Sequence, residues 1–230
     1  MTATRNHDLP QAKPQPKTLV ISDFDGTVST VDIGNRVFNR FTGDRWNDID
    51  RRYVLGTVGS KEAYLAGAPF FSGDRAEVLA YCLETGKIDP SFSDFYRFCR
   101  VNNFDLIIAS DGLDFYIEAF LAAHGLSGIA FFSNRAVFEN GGKLSVSFPY
   151  ASEACGKCGT CKKAILENRR PAYDRIIYVG DGTSDVCPSK KADLVFAKRV
   201  LYEKCVEDET PCIRFENFRD VQLYLSDHKK

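Results

Sequence analysis

The sequence predicts an α/β protein, with a doubly wound parallel sheet as its core and a smaller helical insertion. Three observations predict this class. Short apolar runs recur along the 230 residues without the alternation of polar and apolar residues that a strand with one solvent-exposed face shows. Helical patterns lie between these runs, as crossover connections in a parallel sheet require. Residues 30 to about 100 contain no such run and form several predicted helices.

Four runs are the predicted strands of the core. They are Thr18–Ser22, Phe104–Ala109, Arg175–Val179 and Asp193–Ala197. The predicted helices between and after them are Leu113–His124, Lys162–Asn168 and Val186–Ala192. Residues 129–148 place two apolar runs around an Asn-Gly turn, which predicts a hairpin. Because the carboxyl ends of parallel strands meet at one edge of the sheet, we expect the ligand site there.

The chain divides into three predicted regions. Residues 1–17 are polar and proline-containing and form a predicted flexible tail, residues 18–29 and 101–230 form the core, and residues 30–100 form the insertion. The tail lacks the apolar segment of a secretory signal. No apolar run reaches the roughly 20 residues that a membrane span needs. We therefore expect a cytoplasmic protein without a membrane partner.

Composition argues against a disordered chain and against a nucleic-acid-binding protein. Apolar residues make up 44% of the chain, enough for a sizeable core, and a charged fraction of 27% with a net charge of −1 is not that of a disordered chain. The same balance gives no global basic excess, so we expect no nucleic-acid partner. The sequence leaves the oligomeric state open.

Two carboxylates stand at the end of the first predicted strand. Asp23 and Asp25 are two residues apart, and residues at that spacing share one face of a strand. One carboxylate in such a pair can attack phosphorus while the other protonates the leaving oxygen and later activates water. Gly26 allows the chain to turn directly afterwards.

A second pair of carboxylates follows the third predicted strand. Asp181 and Asp185 lie in the loop that opens a helix. Carboxylates at this position can hold Mg²⁺, which removes the repulsion between a phosphate and an anionic nucleophile. Taken alone, Asp181-Gly182 is more often a simple turn. Its position after a strand, in order with the other polar strand ends, favours the metal site.

Phosphate-binding groups are predicted at two further positions. Ser110, with the backbone amides of Asp111 and Gly112 at the start of a helix, can donate hydrogen bonds to phosphoryl oxygens. Lys162 begins another predicted helix and can neutralise the nucleophile and the developing transition-state charge. Singly, Ser110 would be read as an N-cap and Lys162 as a solvated residue.

Taken in order, these motifs resemble those of the haloacid dehalogenase-like (HAD) phosphohydrolase superfamily. The first motif is similar to Asp23–Val28, the second to Ser110, the third to Lys162 and the fourth to Gly180–Asp185. The resemblance spans residues 18 to about 200. It implies a Rossmann-like core, and it identifies residues 30–100 as the small helical type-1 cap of that superfamily.

The resemblance also implies the role of each site residue. Asp23 would be the nucleophile, and Asp25 the general acid and base. Asp181 would be the main acidic Mg²⁺ ligand beside Asp23 and the backbone carbonyl of Asp25, with Asp185 in support. The implied reaction is hydrolysis of a small phosphorylated metabolite through an aspartyl phosphate. A phosphotransferase or mutase, and a non-catalytic regulatory module on the same fold, remain alternatives.

A narrower resemblance concerns the substrate. Cys158–Lys162 and Asp193–Leu201 are similar to segments of the methionine-salvage branch, which dephosphorylates 2-hydroxy-3-keto-5-methylthiopentenyl-1-phosphate. The same subgroup contains phosphoserine and phosphoethanolamine or phosphocholine phosphatases. Its phosphoserine phosphatases typically carry a glutamate nine residues after the nucleophile, where this chain has Asp32. Asp32 is a candidate substrate ligand for an ammonium group, or the N-cap of the next helix.

Three of the eight cysteines form one organised cluster. Cys155, Cys158 and Cys161 have the spacing of metal ligands, and Cys187 is a candidate fourth ligand for tetrahedral zinc. The alternatives are three free thiols in a tight loop that positions Lys162, or a redox link. The absence of a second Cys-x-x-Cys pair favours free thiols.

Overall fold

The computed structural model describes residues 16–228, so most of the predicted N-terminal tail lies outside the described residues. Seven strands form one sheet in the order β4-β3-β2-β1-β5-β6-β7. All neighbouring strands are parallel except β3 and β4. The strands are β1 Thr18–Ser22, β2 Phe104–Leu113, β3 Ala130–Phe138, β4 Leu144–Ser147, β5 Arg175–Gly180, β6 Leu194–Ala197 and β7 Ile213–Arg214. The predicted α/β class with a parallel sheet is confirmed.

Helices cover both faces of this sheet. They are α1 Ile33–Thr42, α2 Arg45–Val54, α3 Ser60–Gly67, α4 Arg75–Thr85, α5 Phe92–Val101, α6 Asp114–Ala123, α7 Lys162–Arg169, α8 Val186–Ser189, α9 Arg199–Glu207 and α10 Phe218–Asp227. Apolar side chains of α5, α6 and α10 pack against one face, whereas those of α7 and α9 pack against the other.

The central strand β1 shows why its sequence has no polar alternation. Leu19 and Ile21 pack toward α7, and Val20 packs into the core on the opposite face. All five residues of the strand are buried. A strand covered on both sides must be apolar throughout, and this pattern is what the sequence displays.

The insertion between β1 and β2 is held together by aromatic rings. Phe38 contacts Trp46, Tyr64 and Phe71, with ring centroids 4.6, 5.1 and 5.6 Å away. The two chain connections to this helical region run side by side, because Ser29 and Ile88 form one antiparallel bridge. Together these contacts produce a small helical unit whose two connections to the rest of the chain lie next to each other.

The predicted boundary of the insertion at residue 100 falls inside α5. This helix packs on the core, since Phe92 and Phe95 lie 4.7 and 5.1 Å from Phe218 of α10 by ring centroids. We propose that the cap comprises α1–α4, ends near the Ser29–Ile88 bridge, and excludes α5.

The predicted hairpin is confirmed, with β3 and β4 pairing from Arg135 opposite Ser147 to Phe138 opposite Leu144. Its turn supports the insertion, because the N–H of Gly73 donates to the carbonyl of Gly142 at 3.0 Å. Within residues 16–228, no helix is long and apolar enough to cross a membrane.

Candidate active site

Three strand ends and one helix start meet at a single cavity of about 340 Å³. Asp23 follows β1, Ser110 lies near the end of β2, Asp181 follows β5, and Lys162 begins α7. The residues predicted for chemistry on the core side line this cavity: Asp23, Asp25, Ser110, Asp111, Gly112, Lys162 and Asp181. Asp185 lies beside it, within reach of Lys162.

The turn after β1 brings the first and fourth motifs together. Asp23 Oδ1 accepts a hydrogen bond from the N–H of Phe24 at 2.7 Å. Gly26 has a φ of +77°, and a Cβ at this position would lie 2.3 Å from Asp181 Oδ2. Any larger residue would therefore push the two aspartate-bearing loops apart.

Lys162 is enclosed by carboxylates. Its Nζ lies 2.7 Å from Asp23 Oδ1 and 2.7 Å from Asp185 Oδ1, and only 1% of its side chain is exposed. Burial alone would lower the pKa of Lys162, but Asp185 and Asp23 hold it well above its ordinary value. The lysine therefore stays charged and is fixed against the predicted nucleophile.

The carboxylates outnumber this lysine. Oxygen atoms of Asp23, Asp181 and Asp185 lie within 4.8 Å of one another, and this is the group of three potential metal ligands found among residues 16–228. Burial raises the pKa of Asp181, and the nearby Asp185 raises it further. Clustered oxygen donors with uncompensated negative charge are what Mg²⁺ requires, so the residues present fit this ion.

Asp185 is engaged by donors on both oxygens. Its Oδ1 accepts from Tyr178 at 2.6 Å in addition to Lys162, and its Oδ2 accepts from the N–H groups of Asp181 at 3.0 Å and Gly182 at 2.9 Å. The side chain thus shapes the loop that carries Asp181 and anchors the lysine. This arrangement suits a supporting position beside a metal better than a leading one.

Asp181 is oriented from two sides. Its Oδ1 accepts from the hydroxyl of Thr27 at 2.8 Å, and its Oδ2 pairs with Arg199 at 3.1 Å. Arg199 also donates to the carbonyl of Thr30 at 3.1 Å, next to the Ser29–Ile88 bridge where the chain enters the insertion. Its φ of 50° is unusual for a residue with a side chain and marks a position held by its surroundings.

Asp25 lies in a different environment from Asp23. Its Oδ1 accepts from the N–H of Ile33 at 2.8 Å, and its Oδ2 accepts from the hydroxyl of Tyr116 at 2.6 Å. Burial, followed by the carboxylate of Asp32, raises the pKa of Asp25 to about 7, although the two donors oppose this shift. A carboxyl group with this pKa can both give and take a proton near neutral pH.

The helix predicted at Leu113–His124 is confirmed as α6, which begins one residue later than predicted, but Ser110–Gly112 lie at the end of a strand and not at the helix start itself. These residues belong to β2, which continues to Leu113 through a register shift against β3, and α6 begins only at Asp114. The N–H of Gly112 donates to Ser110 Oγ at 2.9 Å. The serine hydroxyl remains at the cavity, but no helix terminus supports it.

Asp111 has a structural partner outside the cavity. Its Oδ1 accepts from the N–H of Thr160 at 2.7 Å, which ties the end of β2 to the loop before Lys162. Its Oδ2 is buried and has no hydrogen-bond partner among the described residues. Burial accordingly raises the pKa of Asp111.

Asp32 lines the cavity and also caps α1. Its Oδ1 accepts from the N–H of Asn35 at 2.7 Å, and burial raises its pKa. The remaining cap wall combines one further carboxylate with amide, hydroxyl and apolar groups and contains no lysine or arginine among the described residues. It consists of Gly34, Asn35, Trp46, Asp50, Tyr53, Val54, Ser60, Ala63 and Tyr64.

Two of the three clustered cysteines have sulfurs close to each other in the described part of the chain. Cys155 Sγ lies 3.6 Å from Cys158 Sγ. The sulfurs of Cys155, Cys158 and Cys161 are nevertheless not among the groups of three ligand atoms within 4.8 Å in the part of the chain that the structure describes. Cys187 is exposed on α8.

Four residues that orient the site were not predicted from the sequence: Thr27, Tyr116, Tyr178 and Arg199. Thr27 lies inside the first motif, so its position could have drawn attention. A polar contact could have been predicted at Tyr178, because a tyrosine in a fully buried strand needs a hydrogen-bond partner for its hydroxyl. Arg199 lies inside the Asp193–Leu201 segment that resembles the methionine-salvage branch, although nothing in the segment marked this residue in particular. Tyr116 gave no comparable signal.

Comparisons with known proteins agree with this geometry. Residues 18–208 match the family described as "Putative Phosphatase". The chain is 29% identical, over 89% of its length and 93% of the relative, to a protein of Brevibacillus brevis named 2-hydroxy-3-keto-5-methylthiopentenyl-1-phosphate phosphatase. A protein of the same name from Bacillus cereus is 27% identical over 90% of this chain and 94% of the relative.

Solved structures share the fold. A phosphoserine phosphatase with an analogue of a phospho-aspartyl intermediate has a TM-score of 0.71 at 21% identity, covering 91% of this chain and 99% of that one. A HAD family hydrolase from Salmonella enterica serovar Typhi has a TM-score of 0.73 at 20% identity, covering 95% of this chain and 74% of that one. The core and the helical insertion are thus both parts of a known architecture.

Proposed function

The chain belongs to this family of phosphatases, and we propose that it hydrolyses a small phosphate monoester through an aspartyl phosphate on Asp23, with Mg²⁺ as cofactor. One observation carries the proposal. Lys162 holds Asp23 in place beside Asp185 and Asp181, while Asp25, two residues along, has a pKa of about 7. A fixed nucleophile and a separate proton donor are what a two-step phosphoryl transfer needs.

In the first step, Asp23 attacks phosphorus. Its Oδ1 is occupied by Lys162 and by the N–H of Phe24, so we assign the attack to Oδ2. Asp25 protonates the leaving oxygen at the same time. The charge of Lys162 opposes the repulsion between the incoming phosphate and the carboxylates.

In the second step, Asp25 acts in its ionised form. It takes a proton from the water that attacks the aspartyl phosphate, which releases phosphate and regenerates Asp23. The hydroxyl of Tyr116 and the N–H of Ile33 hold Asp25 during both steps. Mg²⁺, when bound, would be held by Asp23, Asp181 and the backbone carbonyl of Asp25, with Asp185 in support, and would offset negative charge on the phosphate.

We propose 2-hydroxy-3-keto-5-methylthiopentenyl-1-phosphate as the first substrate to test, which would place the enzyme in methionine salvage and in the cytoplasm. The names of the two relatives support this choice. The cap wall supports it as well. Trp46, Tyr53 and Val54 offer apolar surface to a methylthio tail. The carboxylates of Asp32 and Asp50 would repel the carboxylate of phosphoserine.

The same two carboxylates favour one second candidate. An ester with an ammonium group, such as phosphoethanolamine or phosphocholine, would find opposite charge at Asp32 and Asp50 and aromatic rings at Trp46 and Tyr53. Transfer of the phosphoryl group to an acceptor other than water is the remaining alternative on this fold.

The test is phosphate release from a panel of these esters, with Mg²⁺ or with a chelator, for the native chain and for Asp23→Asn. We expect Mg²⁺-dependent release equal to substrate loss, and a fall of about four to six orders of magnitude in the variant. Asp48→Asn, which changes an exposed aspartate that does not line the cavity, is the matched control. Full activity of Asp23→Asn would contradict the mechanism, and substrate loss without phosphate release would indicate a transferase.

A further inference from the structure

The loop of residues 151–161 contacts the cap. The carbonyl of Lys157 accepts from the N–H of Lys61 at 3.2 Å, and the N–H of Gly159 donates to the hydroxyl of Ser60 at 2.9 Å. A Cβ on Gly59 would lie 2.1 Å from the Lys157 carbonyl oxygen, so the two backbones touch. The start of α3 therefore rests directly on this loop, which we name the cysteine loop.

The other end of the cysteine loop contacts the catalytic groups. The N–H of Thr160 donates to Asp111 Oδ1 at 2.7 Å, next to Ser110. Cys161 is the residue before α7, and Lys162 is the first residue of that helix. A change in the shape of the loop would be transmitted to the cap on one side and to Lys162 on the other.

Two thiols in this loop are placed to react with each other. Cys155 Sγ and Cys158 Sγ lie 3.6 Å apart, and both residues are partly exposed. Burial opposes ionisation of Cys155, but the backbone N–H groups of Lys157 and Cys158 donate to its sulfur and lower its pKa. Burial raises the pKa of Cys158. One thiol is thus the better nucleophile, and the other is positioned to resolve it.

We propose that Cys155 and Cys158 form a thiol modification site, at which a peroxide produces a disulfide that alters the contact with the cap and lowers turnover. The Cys155 thiolate attacks a peroxide oxygen, so that an S–O bond forms, the O–O bond breaks and hydroxide leaves as water after taking a proton. The Cys158 thiolate then attacks that sulfur, so that the S–S bond forms, the S–O bond breaks and hydroxide leaves as a second water after taking a proton. The peroxide gains the two electrons that the thiols lose.

The geometry links this bond to the cap. The sulfurs must approach from 3.6 Å to the ordinary disulfide length of about 2.05 Å. Lys157, whose carbonyl meets α3, lies between them in the chain. The bond itself does not depend on the proposed function, whereas its effect on turnover rests on it.

Tryptic mapping without reduction tests the bond. Cleavage after Lys143, Lys157 and Lys162 separates Cys155, in peptide 144–157, from Cys158 and Cys161, in peptide 158–162. Peroxide should join these two peptides in the native chain, and Cys158→Ser should abolish the link. Absence of the linked pair after peroxide treatment, or a link that persists in Cys158→Ser, would overturn the proposal.

Turnover and fluorescence test the coupling to the cap. We expect kcat/KM to fall about tenfold on oxidation and to recover with dithiothreitol, because ångström-scale misplacement of catalytic groups costs one to two orders of magnitude. Fluorescence emission of Trp46, the single tryptophan, should also change on oxidation. This signal reports on the cap even if no ester is turned over. Formation of the bond with both readouts unchanged would overturn the coupling.

A second thiol pair supplies the matched control. Cys205 and Cys212 also interact, and they lie on α9 and beside β7, outside the cysteine loop. Peroxide should therefore lower kcat/KM of Cys212→Ser as it does for the native chain. Cys155→Ser should keep its kcat/KM after the same treatment. Protection by Cys212→Ser instead of Cys155→Ser would overturn the assignment. Stoichiometric zinc that blocks the reaction of Cys155 would overturn it as well.

Discussion

Asp23 and Asp25 are the same residue type, two positions apart, yet the structure surrounds them differently. Asp23 shares Lys162 with Asp185 and lies next to Asp181. Asp25 contacts a hydroxyl and an amide instead, and its pKa is raised first by burial and then by the charge of Asp32. Burial, and after it the carboxylate of Asp185, raises the pKa of Asp23 well above its ordinary value, and Lys162 opposes that shift. Asp23 therefore differs from Asp25 in having a fixed counter-charge, whereas the two donors to Asp25 are a hydroxyl and a backbone amide.

Removal of the lysine should have the largest effect. Lys162→Met leaves Asp23 and Asp185 buried without their counter-charge, so we expect the free energy of unfolding to fall by about 3–5 kcal/mol. Phosphate release should be lost together with it, because the nucleophile is no longer held. Denaturant unfolding and phosphate release measure the two effects.

The neighbouring residue is the matched control for this variant. Lys163 is 44% exposed and pairs only with Glu167 at 3.8 Å. Lys163→Met should change stability by less than about 0.5 kcal/mol, as expected for an exposed ion pair. If Lys162→Met and Lys163→Met lowered stability and phosphate release equally, the assigned role of Lys162 would be contradicted.

The free energy of unfolding should depend on pH through Asp25. The pKa of Asp25 is raised from 3.8 to about 7 in the folded chain, so the unfolded chain loses this proton first and stability falls as pH rises between these values. Asp25→Asn removes the penalty. We expect a gain of about 4 kcal/mol near pH 8 and almost none near pH 4, since a pKa difference of one between the folded and unfolded chains corresponds to about 1.4 kcal/mol.

Chelator-treated protein is the material for this measurement, so that bound metal does not contribute. Turnover of the same variant should fall by about two to four orders of magnitude, because Asp25 is the proposed acid and base. A gain that is the same at both pH values would show that Asp25 is not the titrating group.

The smallest effect is expected at Tyr116. Its hydroxyl stabilises the ionised form of Asp25, so Tyr116→Phe should raise the pKa of Asp25 further. Because the first step needs protonated Asp25, the alkaline limb of kcat/KM should move up by about one pH unit, the worth of one hydrogen bond. Tyr173→Phe, which loses a 2.7 Å bond to Asp105 at the opposite edge of the sheet, should leave the limb in place. A downward shift in Tyr116→Phe would contradict the assignment.

The core was predictable because its determinants are local. A strand covered on both faces must be apolar, and a parallel sheet gathers its carboxyl ends at one edge, so Asp23, Ser110 and Asp181 could be expected to meet. The short strand β7, of two residues, has too little sequence to display a period. The end of β2 was predicted too early, at Ala109, because the strand continues to Leu113 through a register shift that no local pattern shows.

The contacts that tune the site were not predictable in this way. Tyr116 reaches Asp25 across 91 residues, and Arg199 reaches Asp181 from a left-handed backbone position. Such contacts depend on how α6 and α9 pack, which no local pattern encodes. The residues of the cap wall could not be predicted for the same reason. They come from three helices, and the packing of these helices against one another decides which side chains face the substrate.

The most direct test of the account is to trap the aspartyl phosphate. The enzyme would be mixed with substrate and Mg²⁺, quenched during turnover and reduced with borohydride, which converts an aspartyl phosphate to homoserine. Mass spectrometry of the tryptic peptide 18–36 then distinguishes Asp23 from Asp25 and Asp32. The account predicts homoserine at position 23 alone. Homoserine at another aspartate, or none while phosphate is being released, would contradict it.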